Sequence, residues 1–165
     1  MNDSISRRAC AALTFAVIAA LASGCTHQLH VGKPLGAGVK EVALSVKAGS
    51  GVEVKPEMLQ EVQATFASKL TDAGVVIDDR GVRVSGEIVH LEEGNRALRY
   101  LIGSGLGRAV VVISWTVESS DGQPLAQLRT ESEVSGGLFG GSLASSLESA
   151  AGELAEYLRT PVPRS

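Results

Sequence analysis

The chain has 165 residues, a formal net charge of −3, and 44% hydrophobic residues. This composition excludes a wholly disordered chain, and removing a leader of 24 residues leaves 165 − 24 = 141 residues, enough for one domain with its own core. The acidic balance also excludes the basic footprint of a nucleic-acid-binding protein, so we expect no nucleic-acid partner.

The N-terminus has the parts of a bacterial export signal. Arg7 and Arg8 precede an apolar run over residues 9–22, and small residues at 22–24 stand directly before Cys25. A helix over the apolar run would rise about 21 Å, short of a hydrocarbon core of roughly 30 Å, so the run predicts a cleavable signal and not a membrane span. The alternative is an ordinary secretory signal with an incidental cysteine.

Lipid on Cys25 would fix the location of the protein. The junction resembles a lipobox in which Leu21 stands one place before the usual leucine. Two or three acyl chains hold a protein almost permanently, because each buried methylene contributes about 0.8 kcal/mol. Thr26 stands where an Asp would resemble an inner-membrane retention signal, and this resemblance places the protein on the periplasmic face of an outer membrane. We expect a signal peptide over residues 1–24 and a flexible lipidated tether over residues 25–38.

The cysteine and histidine counts argue against thiol and metal chemistry. Cys10 would leave with the signal and Cys25 would become a thioether, so the mature chain would have no disulfide and no free thiol. His27 and His30 supply only two ligands, too few for a structural zinc site. We expect no metal and no cofactor.

After the predicted tether, strand and helix patterns alternate. Apolar residues at every second position predict a strand over residues 41–47. Pro56, followed by apolar residues at helical spacing, predicts a helix that Gly74 ends. Residues 75–77 and 82–91 predict two short strands joined by a turn, as in a hairpin.

The second half of the chain has the same character. Residues 108–119 are the most hydrophobic mature segment and are apolar on both faces, which is typical of a central strand. A turn at Asp121-Gly122 leads into a strand over residues 125–134. A second helix begins near Ser142 and ends at Thr160-Pro161.

This order of elements predicts an α+β two-layer sandwich with a mainly antiparallel sheet of about five strands and two helices on one face. The domain would span residues 39–160, followed by a C-terminal tail over residues 161–165. If Val111 and Ile113 face the helices, Val110 and Val112 lie on the opposite face. Something apolar should cover them there.

The connection over residues 94–107 is the predicted working surface. It is long for a hairpin and combines apolar with basic side chains. The apolar residues would cover the outer face of the sheet or bind a protein partner. The basic ones would bind a phosphate or an anionic lipid headgroup, or pair with neighbouring glutamates. The candidate binding residues are Arg96, Leu98, Arg99, Tyr100, Leu101, Ile102 and Arg108.

The same connection carries a family resemblance. The run Gly94-Asn95-Arg96-Ala97-Leu98-Arg99-Tyr100, followed by Gly103, Gly105, Gly107 and Arg108-Ala109, resembles the bacterial lipoproteins catalogued as domain of unknown function 4410. The resemblance spans about residues 41–158. It implies the same fold and an envelope location, and it carries no assigned activity.

Catalytic motifs are incomplete, so we expect no enzyme. Gly140-x-Ser142-x-Ala144 is a near miss to a nucleophile elbow, but no His follows it. His90 is the only His of the predicted domain. We expect a non-enzymatic binding or assembly module, held to the membrane by its lipid and bound to an envelope protein. The alternatives are a periplasmic hydrolase using Ser142 and His90, or a transport accessory lipoprotein that binds anionic lipid or phosphate.

Overall fold

The computed structural model describes residues 25–33, 35, 37–92, 109–134 and 143–160. In chain order the elements are β1 (Cys25–Lys33), β2 (Glu41–Ala48), α1 (Pro56–Asp72), β3 (Val76–Ile77), β4 (Val82–Glu92), β5 (Ala109–Glu118), β6 (Pro124–Val134) and α2 (Leu143–Arg159). The strands form one sheet in the order β1-β6-β5-β4-β2-β3. The predicted α+β class is confirmed, with six strands in place of about five.

The sheet is mixed because β2 is parallel to both of its neighbours. β1, β6, β5 and β4 pair antiparallel in succession, whereas β2 pairs parallel with β4 on one side and with β3 on the other. The predicted hairpin of β3 with β4 is therefore wrong. The turn between them crosses the start of β2, where a Cβ on Gly81 would lie 2.5 Å from the backbone of Glu41. A turn that crosses a strand uses the same Asp and Gly residues as a hairpin turn, so the sequence does not distinguish them.

Helix α1 begins and ends as the sequence predicts. Pro56 is its first residue, and Gly74 follows its end with a φ of 82°. The N–H of Val75 donates to the carbonyl of Leu70, and the N–H of Gly74 donates to that of Thr71. These two bonds satisfy the last carbonyls of the helix in the Schellman arrangement, which needs a left-handed residue at the position of Gly74.

Both helices pack against one face of the sheet and share a single core. At its centre, Trp115 of β5 contacts Phe66 of α1 with ring centroids 4.6 Å apart. The indole N–H of Trp115 donates to the hydroxyl of Thr130 at 2.9 Å, which satisfies a buried polar group. Leu147, Leu154 and Leu158 of α2 complete this core.

Strand β1 corrects the prediction of a tether over residues 25–38. Cys25–Lys33 pairs with β6 along its length, and Leu29 packs against the core. Beyond β1, the N–H of Leu35 donates to the hydroxyl of Tyr157 at 2.6 Å. The sequence signal is weak because only Leu29 and Val31 alternate with polar residues, while the unpaired edge of β6 supplies the strand partner.

Candidate functional site at the Cys25 end of the sheet

Four strand termini meet at one end of the sheet. Cys25, the first residue of β1, pairs with Val134, the last residue of β6, and Val134 pairs with Ala109, the first residue of β5. Strand β4 ends nearby at Glu92, opposite Val110. We name the region formed by these five residues the Cys25 end. Its geometry is set by the strand register, so the backbone of Cys25 has a fixed place in it.

The predicted binding loop joins the structure at the Cys25 end. Residues 93–108 connect Glu92 to Ala109, and residues 135–142 connect Val134 to Leu143. The seven candidates all fall in the first connection and lie outside the described residues: Arg96, Leu98, Arg99, Tyr100, Leu101, Ile102 and Arg108. The structure gives the positions of Glu92 and Ala109, the two residues that flank this connection.

The outer face of β5, away from the helices, holds two buried apolar side chains. Val110 and Val112 are 4% and 3% exposed and lie outside the helix-side core, which includes their neighbours Val111 and Ile113. This alternation agrees with the sequence expectation for a central strand that is apolar on both faces.

Three glutamates and one histidine flank these valines on the neighbouring strands. Val112 lies between Glu131 of β6 and His90 of β4. Val110 is flanked in the same way by Glu133 and Glu92. In the part of the chain that the structure describes, no group of three or more His, Cys, Asp or Glu side chains is arranged to hold a metal ion.

Away from the Cys25 end, the outer face is polar and solvated. Lys47 pairs with Glu87 at 3.2 Å, and Arg83 pairs with Glu118 at 2.9 Å. Exposed pairs of this kind contribute at most about 1 kcal/mol each, so this part of the face is an ordinary solvated surface.

The turns at the opposite end of the sheet hold the carboxyl groups with shifted pKa values. The side chain and backbone of Arg80 donate hydrogen bonds to Asp78, which lowers the pKa of that carboxyl below its usual value. A hydrogen bond from Ser119 likewise lowers the pKa of Asp121. Asp78 is half-buried and Asp121 is exposed, both in turns, and neither has the raised pKa of a general acid.

Of the predicted catalytic pair, Ser142 and His90, the structure describes only His90. His90 is exposed on β4 beside Val112. Ser142 lies outside the described residues, so its pairing with His90 stays a prediction. Neither of the two helices in the described ranges has the length and apolar character needed to cross a bilayer.

Together, the fold and the site define a two-layer α+β domain with an open mixed sheet. One edge strand of this sheet, β1, begins at Cys25. The family model for a domain of unknown function, DUF4410, matches residues 45–137, more than half of the chain. The chain belongs to this family, which confirms the resemblance drawn from the Gly94–Ala109 motif.

The chain is similar to solved structures at low sequence identity, and those with a TM-score above 0.5 share its fold. A PelC dodecamer from Paraburkholderia phytofirmans is 14% identical, with a TM-score of 0.54, over 84% of this chain and 99% of that chain. A single-substitution variant of the same dodecamer is 16% identical, also with a TM-score of 0.54, over 82% of this chain and 97% of that chain. A minor lipoprotein from Acinetobacter baumannii is 10% identical over 71% of this chain and 90% of that chain, with a TM-score of 0.39. No curated protein matches the chain.

Proposed function

We propose that the protein is an envelope lipoprotein, anchored through lipid on Cys25 at the periplasmic face of the outer membrane, that acts as a non-enzymatic binding or assembly module. One observation carries this proposal: Cys25 begins an edge strand at the end of the sheet where the apolar and basic connection of residues 93–108 is attached. The anchor and the predicted binding loop would then act at the same end of the domain.

The anchor part of the proposal is supported by the export-signal pattern and the small residues before Cys25. It is tested by feeding cells an alkyne analogue of palmitate and comparing Cys25→Ser with Cys10→Ser. These are the two cysteines of the chain, so each variant is the matched control for the other. We expect label on the wild type and on Cys10→Ser, and none on Cys25→Ser. Label that persists on Cys25→Ser would contradict the anchor.

Fractionation of the same cells tests the proposed membrane. Wild type and Cys10→Ser should sediment with outer-membrane vesicles on a density gradient and resist extraction by high salt, because acyl chains and not charges hold them. Sedimentation of the wild type with the inner membrane would overturn the outer-membrane assignment. It would leave the anchor itself in place.

The binding part of the proposal concerns the apolar residues of the connection. Leu101→Asp or Ile102→Asp should abolish capture of the envelope partner by a photo-crosslinker at position 98, because a carboxylate in an apolar contact loses its hydration without gaining a partner. Val76→Asp is the control, since Val76 is 55% exposed on β3 at the other edge of the sheet. Equal capture by all three variants would contradict a binding role for this connection.

The position of the connection also favours the anionic-ligand alternative. Arg96, Arg99 and Arg108 are attached at the end that a lipid on Cys25 would bring to the headgroups. An anionic lipid or phosphate ligand predicts binding that weakens with salt and is lost in the double variant of Arg96→Gln and Arg99→Gln. Salt-independent binding that survives both substitutions would exclude this alternative.

The assembly part of the proposal has a specific form, a homo-oligomer. The PelC structures that share the fold are described as dodecamers. The outer strand β1 exposes Val31, and edge strands are common sites of association. The mass of the detergent-solubilised protein, measured by light scattering, tests this form. A monomer at all concentrations would contradict it.

A further inference from the structure

We infer that the Cys25 end of the sheet lies directly against the lipid headgroups, so that the strands stand away from the bilayer with this end as the membrane contact. This inference rests on the proposed lipid anchor. It goes beyond the anchor because it assigns one surface of the domain to the membrane and fixes the orientation of the whole sheet.

No spacer separates Cys25 from the folded domain, because Cys25 is itself the first residue of β1. Cys25 pairs with Val134, and Val134 pairs with Ala109. Adjacent strands lie about 4.8 Å apart, so the backbone of Ala109 is only about 10 Å from that of Cys25. A flexible tether of fourteen residues would instead allow a typical separation of about 20 Å between lipid and domain.

Strand β1 pairs with β6 along its length, and further contacts hold it from Leu29 onward. Leu29 packs on the core from the middle of the strand. After the strand, the N–H of Leu35 donates to the hydroxyl of Tyr157, and the N–H of Val39 donates to the carbonyl of Leu158 at 2.7 Å. Freeing Cys25 from the sheet would require the first residues of β1 to separate from β6, and the contacts from Leu29 onward limit how far that separation can extend. The anchored domain therefore keeps the Cys25 end at the surface.

The Cys25 end and the opposite end of the sheet are separated by most of the length of β5. Glu92 lies opposite Val110, and β5 continues for eight residues to Glu118 before the turn that contains Asp121. At about 3.4 Å per residue this turn is about 27 Å from the Cys25 end. With the Cys25 end at the membrane, the turn that contains Asp121 lies too far away for a quencher in the headgroup region to reach it. Quenching therefore distinguishes the two ends of the sheet.

The charges near the Cys25 end cancel, so the lipid anchor alone sets the orientation of the domain on the membrane. Glu92 and Glu133 lie within one residue of this end, and the connection of residues 93–108 contains three Arg and one Glu. Their sum is −2 + 2 = 0. An uncharged lipid surface is consequently sufficient for the contact, and the orientation should persist at high salt.

The experiment uses full-length, lipidated protein extracted from membranes and placed in phosphatidylcholine vesicles that contain a headgroup-nitroxide lipid. A fluorophore is attached to Glu92→Cys at the Cys25 end or to Asp121→Cys at the far end, both at exposed positions. We expect severalfold stronger quenching at position 92 than at position 121, with no change at high salt. Equal quenching at both positions would overturn the inference.

A spacer variant provides the matched control. Eight Gly and Ser residues inserted after Cys25 keep the lipid and the fold but release the end of the sheet, so quenching at position 92 should fall towards that at position 121. Quenching unchanged by the spacer would also overturn the inference. Mass spectrometry of the same samples separates the two proposals, because an unmodified Cys25 overturns the anchor, whereas a lipidated protein without selective quenching overturns only the orientation.

Discussion

Gly86→Ala should destabilise the domain through a collision with Trp115. A Cβ at position 86 of β4 would lie 2.5, 2.8 and 2.9 Å from three ring carbons of Trp115. The ring has little room to move, because it is 1% exposed, lies against Phe66 and is held by its hydrogen bond to Thr130. To accept the new Cβ, the ring must therefore shift and weaken either its contact with Phe66 or its hydrogen bond to Thr130.

The size of the effect follows from those contacts. Overpacking a filled core costs about 1–3 kcal/mol, and weakening the hydrogen bond between Trp115 and Thr130 adds about 0.5–1.5 kcal/mol. The free energy of unfolding should thus fall by about 2–4 kcal/mol. For a domain of this size each kcal/mol lowers the midpoint temperature by about 2–4 °C, so the Tm should fall by roughly 5–15 °C.

Urea denaturation followed by circular dichroism measures the change. Gly152→Ala is the control, because a Cβ at that helical position meets no atom within 4 Å apart from the neighbouring backbone of its own helix. It should raise stability by about 0.5–1 kcal/mol. In a Trp115→Leu background the cost of Gly86→Ala should drop below about 1 kcal/mol, since the clashing ring is gone. A cost that stays the same in that background would refute the proposed collision.

Three further predictions test the edge strand, the helix end and the acid response. Leu29→Asn should lower the free energy of unfolding by about 1–3 kcal/mol, because Leu29 packs against the core. Gln28→Asn, on the exposed side of β1, should change it by less than about 0.5 kcal/mol. Equal urea midpoints for the two variants would indicate that residues 25–33 are a flexible tether after all. Gly74→Ala should cost about 1–2 kcal/mol in thermal denaturation because φ is 82° there, and an unchanged Tm would contradict the left-handed cap. Arg80 lowers the folded-state pKa of Asp78, so the stability from this pair is present above pH about 4 and is lost as the pH falls through the lowered pKa. Asp78→Asn should therefore flatten the decline of stability below pH 4 in urea titrations, and an identical decline would argue against the pair.

The sequence predicts best those elements whose signals are local. Pro56 and Gly74 mark the two ends of α1 because a fixed φ and a left-handed φ are properties of those residues themselves. The burial of β5 on both faces follows in the same way from its continuous apolar run. This run places Val110 and Val112 on the face of the sheet that points away from the helices.

The errors lie where pairing with a distant strand decides the structure. β3 joins β2 and not β4, and the turn between β3 and β4 crosses β2 at Gly81, where the absence of a Cβ lets the two backbones come close together. β1 forms because β6 offers an edge and the core accepts Leu29, and neither is visible in residues 25–33 alone. For the site, the sequence predicts a modified Cys25, but its fixed place beside Val134 comes only from the register.

The intact mass of the mature protein, extracted from membranes with detergent, shows whether lipid on Cys25 anchors the domain. Loss of residues 1–24 together with a diacylglyceryl group and an acyl chain on Cys25 is the predicted result. A mature chain that begins elsewhere, or that begins at an unmodified Cys25, would remove the lipid from the end of the sheet and contradict the account.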